Sequence, residues 1–449
     1  MPPLRVALAA ALVSSLMACG SGVTQTARRG DQAALATALR ARIDDGSLTR
    51  GDAADVAEVV LERELRAASG AALAARFREI VGCANALSGV LSNLEDAQGE
   101  LGALAAWTRA RYGDMGASEA RRYARHSDER RRGIAAFGLV RDEDADARRH
   151  AMVARDANER RAALRASLVA RDAGDVEALA EAARLDPDML ARTDALRALM
   201  AIGGPKVATK LRDLWTGGDT GLRGDLGLAW ASPGLFPHGG EAALVSLLTS
   251  ERGAGAIEAA AGVLRARSDG GDGSRSAPSP ALRALAVAFL SRTLSNDVRR
   301  GRLHAVAIAP LPRRGAEAPL LTPLLEAIRA LAKEDDLELR VAALSRLLES
   351  EPDRAAATRE LEVVGGRPQG PLSRRALFAL AGAGHRSIQA WLERDLVAPD
   401  PEARLSALLS LVALDRGPRG ATLLADQDPS VRTRAACLLL AAGDRPKHR

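Results

Sequence analysis

The chain has 449 residues, 47% of them hydrophobic and 27% charged, and a net charge of +6 that is small for this length. That balance excludes disorder over most of the chain. Only 2% of residues are aromatic, so Ala and Leu must fill the core. This favours helices and excludes a β-sandwich or barrel, which would need β-branched and aromatic side chains.

At the N-terminus, Arg5 precedes an uncharged apolar run from Val6 to Val13, followed by Ser14-Ser15-Leu16-Met17-Ala18-Cys19. A short positive end, an apolar middle and a small residue before a cut form the plan of a signal peptide over 1–18. The apolar run is too short to span a bilayer, which takes about 20 residues. Leu16-Met17-Ala18-Cys19 resembles the lipobox of bacterial lipoproteins. The resemblance implies cleavage before Cys19, acyl chains on Cys19, and a lipid-anchored protein of the cell envelope, on the periplasmic side or at the surface of the outer membrane. Gly20 is not the Asp that usually retains such proteins in the inner membrane.

Residues 19–30 read as a polar tether, and 31–125 as an N-terminal helical region. Thr49, with Asp52 three positions on, is the expected cap of a helix carrying Val56, Val59 and Val60. The run from Ala71 to Tyr112 carries Leu73, Phe77, Ile80, Leu87, Leu91, Leu94, Leu101, Leu104 and Trp107 at helical spacing, with a break expected near Asp96–Gly99. After the leader only Cys83 and Cys437 remain. They are expected to be small buried residues that do not meet, because an extended array would hold them far apart.

From residue 126 on, one phrase recurs: Asp, an apolar residue at +3, Arg at +4, Ala or Leu at +7 and +8, and Leu at +11. The clearest copies begin at Asp188 (with Arg192), Asp219 (Arg223), Asp336 (Arg340), Asp400 (Arg404) and Asp428 (Arg432), and a degraded one at Asp156 keeps Arg160, Ala163 and Leu164. Further degraded copies begin at Asp128, Gly253, Ser279 and Gly370, and a weaker one surrounds Asn296-Asp297-Val298-Arg299. Most consecutive starts lie 26 to 34 residues apart, the length of two helices plus turns. Positions +3, +7, +8 and +11 share one helix face, the core face. Asp caps the first turn, and Arg at the stripe's edge lays its stem over apolar surface.

These phrases resemble the HEAT-repeat family, in particular the short bacterial form called PBS-lyase HEAT-like repeats. The resemblance spans Asp128 to Gly443. It implies an all-α fold, an α-solenoid of stacked two-helix repeats, with Asp and Arg of successive repeats in a structural polar ladder. The ladder should be broken at 253, 279 and 370, which lack Asp. Ten such layers make an arc on the order of 90 Å long. Its concave face is suited to a protein partner. The expected organisation is repeats over 126–267, a Gly/Ser/Pro-rich flexible loop over 268–280 that could divide the array, and repeats over 281–449.

Signals for chemistry are missing. The six histidines have no Cys at ligand spacing, and His-Glu-x-x-His, Gly-x-Ser-x-Gly and a phosphate-binding loop do not occur. No cofactor, metal, small-molecule substrate or catalytic residue is expected, and the chain reads as a non-enzymatic scaffold. Two other functions stand as alternatives. One is a bilin-lyase-like enzyme or enzyme subunit, implied only by the repeat's name. The other is an arginine-rich solenoid that binds nucleic acid, against which stand export and 57 interleaved acidic residues, so no nucleic acid is expected. Arg130, Arg131 and Arg132 form a candidate anion-facing patch with Arg121, Arg122 and Arg125, opposed there by Asp128 and Glu129.

Overall fold

The computed structural model describes residues 22–112, 115–126, 134–135, 144–216, 223–251, 253–266, 277–312, 318–367 and 370–443. The leader, Cys19, Asp128, Arg130, Arg131, Arg132, Asp219 and most of the 268–280 loop lie outside them, as does the Arg223 side chain. Among the described residues every regular element is helical. The fold is all-α, an α-solenoid of stacked helix pairs.

The chain divides into two compact units, Gly116–Leu361 on the one hand, and the residues up to Met115 together with Glu362–Arg449 on the other. The 268–280 loop therefore falls inside a unit instead of dividing the array. Most of the N-terminal helical region, up to Met115, shares its unit with the repeats from Glu362 onward.

In the central unit, helices Ala157–Ala170, Met189–Ile202, Arg223–Trp230 and Ala254–Arg265 stack in succession. The second members of the pairs, including Val176–Leu185 and Gly240–Ser250, lie alongside them. The repeated stripe is the core. At +7, Ala163, Ala195 and Ala343 are buried, and at +11 so are Leu199 and Leu347. Small side chains at +7 let neighbouring helices approach closely.

Glycines allow a close approach where Gly224 meets Gly255: a Cβ added to Gly255 would stand 1.8 Å from the Gly224 Cα. Backbone cannot yield as a flexible side chain can, so Gly255→Ala should cost about 3 kcal/mol or more by overpacking. A thermal midpoint lowered by several degrees would bear this out, and an unchanged one would refute it.

Phrase and structure part at Ser279. Helix Pro280–Asn296, which starts there, packs on Gly240–Ser250 and Ala318–Leu331 as the second member of a pair. The first member is Arg299–Ile308, which packs on Ala254–Arg265 and Leu337–Leu347. The weak copy at Asn296–Arg299 thus marks the true repeat. Ser279 reproduces the phrase because a capping Ser and a helical apolar stripe serve either helix.

In the other unit the capping box at Thr49 is present: the Thr49 hydroxyl accepts from the Asp52 amide at 3.1 Å, and Asp52 accepts from the Thr49 amide at 3.0 Å. It opens helix Arg50–Ala67. Next come Gly70–Ile80, a 3-10 segment Val81–Leu87, Ser88–Glu95 and, past the expected break, Glu100–Tyr112. Residues 22–29, expected within a polar tether, are helical instead. Val23 and Ala27 fall one turn apart and are buried, and Arg63 Nη1 donates to the Ala27 carbonyl at 2.7 Å.

The C-terminal stretch of this unit contains Pro371–Gly382, Gln389–Asp395, Pro401–Ala413, a 3-10 segment Gly417–Ala425 and the last helix, Pro429–Gly443. This last helix packs against Arg50–Ala67, Gly70–Ile80 and Val81–Leu87, while Gly417–Ala425 also meets helix Gln32–Asp44. A terminal repeat leaves one apolar face without a neighbour, and such a face must be covered. Here the N-terminal helices cover it.

Cys83 and Cys437 are both buried, as expected, but they are bonded to each other, with Cα atoms 5.7 Å apart across 354 positions of sequence. The expectation that they stay apart assumed that the chain's ends part company. Instead the two ends fold together.

Candidate functional site

The phrase's Asp serves first as a cap. Asp156 accepts from the amides of Asn158 and Glu159, Asp188 from Leu190, Asp336 from Glu338 and Leu339, Asp400 from Glu402, and Asp428 from Ser430. Each carboxylate thereby satisfies amides that the helix leaves open.

The Arg at +4 does two things. Its Nη1 donates back to carbonyls just before its own cap: Arg160 to Ala154 and Arg155, Arg404 to Ala398 and Pro399, Arg432 to Asp426 and Gln427. Its other nitrogens reach forward to a carboxylate two residues before the next cap. Arg160 pairs with Asp186 at 2.8 and 2.9 Å, Arg404 pairs with Asp426 at 2.8 and 3.1 Å, and Arg302 pairs with Glu334. The ladder therefore runs mainly from Arg to Asp186 and Asp426, and only in places to the caps, as from Arg299 to Asp336 and Arg374 to Asp400. The signal was present as Asp-x-Asp at 186–188 and 426–428. The Gly370 copy lacks Asp yet keeps its forward link through Arg374.

Arg340 pairs with Glu360. Arg192 donates Nε to the Ala183 carbonyl, and Asp219, the next cap after it, lies outside the described residues. The sequence has Pro368, not an acid, two before the Gly370 cap, and the Arg340 guanidinium goes to the carboxylate that helix Arg354–Gly365 offers. A further copy is legible at Asp144, with Ala147, Arg148, Ala151 and Met152 at +3, +4, +7 and +8. Arg148 and Arg149 together grip Asp172 and the fully buried Asp175, which also accepts from Ser167 at 2.9 Å. Every polar group of that buried centre is partnered, which marks it as cohesive.

Arg432 belongs to the last repeat among the described residues, and its partner is not a carboxylate of another repeat. Arg432 pairs instead with Glu64 of helix Arg50–Ala67, Nε to Oε1 and Nη2 to Oε2, both at 2.8 Å, each side chain 7% exposed. Glu64 takes the place that Asp186 and Asp426 hold elsewhere. Ser430 adds a hydrogen bond to Glu79 at 2.7 Å, and Cys83–Cys437 lies on the same seam. Nothing in the sequence around Glu64 resembles the phrase, so the match could not be read from it.

The ladder carboxylates sense pH. Burial alone would raise the Asp186 carboxyl, but the Arg160 guanidinium and the Asp188 amide outweigh it and hold it below the usual range. Asp353 is held low likewise, against burial, by Arg329 and Ser350. Groups with depressed native pKa values bind fewer protons folded than unfolded, so their stabilisation is complete above the ordinary carboxylate pKa of about 4 and is lost below it. The urea midpoint should stay level from neutrality to about pH 5 and fall steadily below about pH 4. A midpoint that rose on acidification through this range would contradict the ladder.

One cleft of about 680 Å³ opens in the unit formed by both ends, lined by Arg28, Asp55, Glu58, Glu62, Arg63 and Arg66 among others. Its charges balance, and Arg66 is already paired with Glu62 and Arg63 with Glu64. His304 stands 3.4 Å from Glu258 on the neighbouring helix. Among the described residues no cluster of His, Cys, Asp or Glu is arranged to hold a metal ion, and no helix is long and apolar enough to cross a membrane.

Helix pairs stacked through apolar faces, with arginines and carboxylates stitching successive pairs, define a helical-repeat solenoid. By sequence, no family model and no curated protein matches the chain. Among solved structures, the crystal structure of Kap121p is similar over 92% of this chain at 12% identity, with a TM-score of 0.25. This chain spans about half of that one, 47% of its length.

Proposed function

We propose that the protein is a non-catalytic HEAT-repeat lipoprotein, fixed to a membrane of the bacterial cell envelope by acyl chains on Cys19, which holds a protein partner on the concave face of its repeats. The observation that carries the binding reading is the commitment of the repeats' charged side chains to cohesion: Arg160, Arg404 and Arg432 are each occupied by carbonyls and a carboxylate. Side chains so occupied serve a display surface better than a reaction.

The envelope reading is supported by the leader and by the disulfide, since such bonds persist in oxidising compartments and are rare in the cytosol. Several acyl chains on one residue give durable anchoring, each buried CH₂ contributing about 0.8 kcal/mol. Palmitate labelling and detergent partitioning of the wild type against Cys19→Ala test the anchor, with label and partitioning expected to vanish together. Crosslinking in envelope extracts followed by mass spectrometry tests the scaffold. Recovery of no partner, with normal envelope complexes in a deletion strain, would argue against it.

A further inference from the structure

We infer that the cap edge shared by the repeats at Asp156 and Asp188 is a docking surface for a short amphipathic segment of a partner protein whose apolar face is flanked by carboxylates. The inference rests on the scaffold reading and names a surface and a partner chemistry for it. Four large apolar side chains stand in solvent there: Val153 is 76% exposed, Leu185 60%, Met189 48% and Leu190 56%.

Hydrogen bonds bring them together. The Arg160 guanidinium joins the carbonyls of Ala154 and Arg155 to the Asp186 carboxylate, so the adjoining Val153 and Leu185 stand on either side of it. Asp186 also accepts from the Asp188 amide, and Asp188 from the Leu190 amide, which holds Met189 and Leu190 in the same small region. Folding does not require these side chains. The first two helical positions after the cap are Ala-Asn at 157–158, Leu-Glu at 337–338, Pro-Glu at 401–402 and Pro-Ser at 429–430, against Met-Leu at 189–190. A helix start gains nothing from two exposed apolar residues.

The patch's size selects the occupant. It covers on the order of 400 Å², as large as the main apolar patch of many monomers and about half of what one partner contributes to a standard interface. That fits a single helix or strand laid across it and is too little for a second folded copy of this chain. Charge selects the flanks. Arg155 and Arg184 are exposed beside Val153 and Leu185 and make no ion pair among the described residues, whereas Asp156 and Asp188 are spent as caps and Asp186 on Arg160. Glu159 and Glu181 also make no ion pair, but they stand about a turn further along their helices from the cap edge. The unpaired charges nearest the four apolar side chains are cations, and they suit carboxylates.

The test uses the full chain and two fluorescein-labelled amphipathic peptides, with leucines along one face and either glutamates or lysines along its borders. The glutamate peptide should bind at least about tenfold more tightly at low salt, and the advantage should shrink as salt is added. Met189→Glu with Leu190→Glu should weaken binding at least about tenfold without changing helicity or thermal midpoint, because both positions are exposed. Arg155→Gln with Arg184→Gln should erase the difference between the peptides and leave the fold intact. Equal binding of the two peptides, no binding of either, or wild-type binding by the Glu variant would overturn the inference. So would finding that the Glu variant instead abolishes self-association in sedimentation, or adsorption to phosphatidylglycerol vesicles. Failure of the two readings is distinguishable. An envelope partner recovered equally by wild type and Glu variant removes the patch and keeps the scaffold, whereas peptide binding as expected with no envelope partner removes the scaffold's role and keeps the patch.

Discussion

Glu64→Ala should destabilise the unit containing both chain ends by about 3–5 kcal/mol, seen as a lower urea midpoint at an unchanged slope. Both partners of the Glu64–Arg432 pair are 7% exposed, and the truncation leaves a buried guanidinium with only the Asp426 and Gln427 carbonyls as partners. An uncompensated buried charge, more than the loss of a favourable contact, sets that cost. The two effects can be separated. Glu64→Gln with Arg432→Met removes both charges and should recover most of the stability, because a desolvated pair is close to neutral against an apolar replacement. The sequence separation of 368 makes the result diagnostic. An exposed glutamate on an independent N-terminal region would cost less than about 0.5 kcal/mol.

The second large effect belongs to the disulfide. Cys83→Ala with Cys437→Ala should cost about 2–5 kcal/mol, since the bond closes a loop of 354 positions and a longer loop leaves more entropy to be removed from the unfolded chain. Both sulfurs are buried beneath the packed helices, so a reductant should act on the folded protein only as fast as the seam opens. Two readings follow: the thermal midpoint of reduced protein should match that of the double variant, and unreduced wild type should resist mild thiol treatment in the cold. Combined with Glu64→Ala, the losses should not add, because the bond and the ion pair hold the same seam. Additive losses would place them in separate structures.

How far the sequence reaches is clear from particular positions. The capping box at Thr49 and the stripe at Ala195, Leu196 and Leu199 are set by neighbours within a helical turn or two, and they fold as their spacing predicts. The phrase names the capping Asp and the Arg correctly but not the Arg's partner. Asp186 and Asp426 lie in turns, where only the stacking of the next pair decides which carboxylate a guanidinium meets. Phe378 shows the same limit. It stands at +8 of its copy, a buried position in the copies at Asp156, Asp188, Asp336, Asp400 and Asp428, yet it is 46% exposed. The seam was least legible. Glu64, Cys83, Arg432 and Cys437 are unremarkable in their local settings, and their pairing depends on a contact across most of the chain. A repeat pattern describes each layer against the next and carries no term for what covers the last one.

Hydrogen exchange on the full chain, with and without residues 429–449, tests most directly that the N-terminal helices stand in for a next repeat. If they do, removing the last helix will strip protection from amides of residues 50–67 and 81–87, far away in sequence, by orders of magnitude. Protection of 50–67 that persists at its original level after the removal would contradict the account.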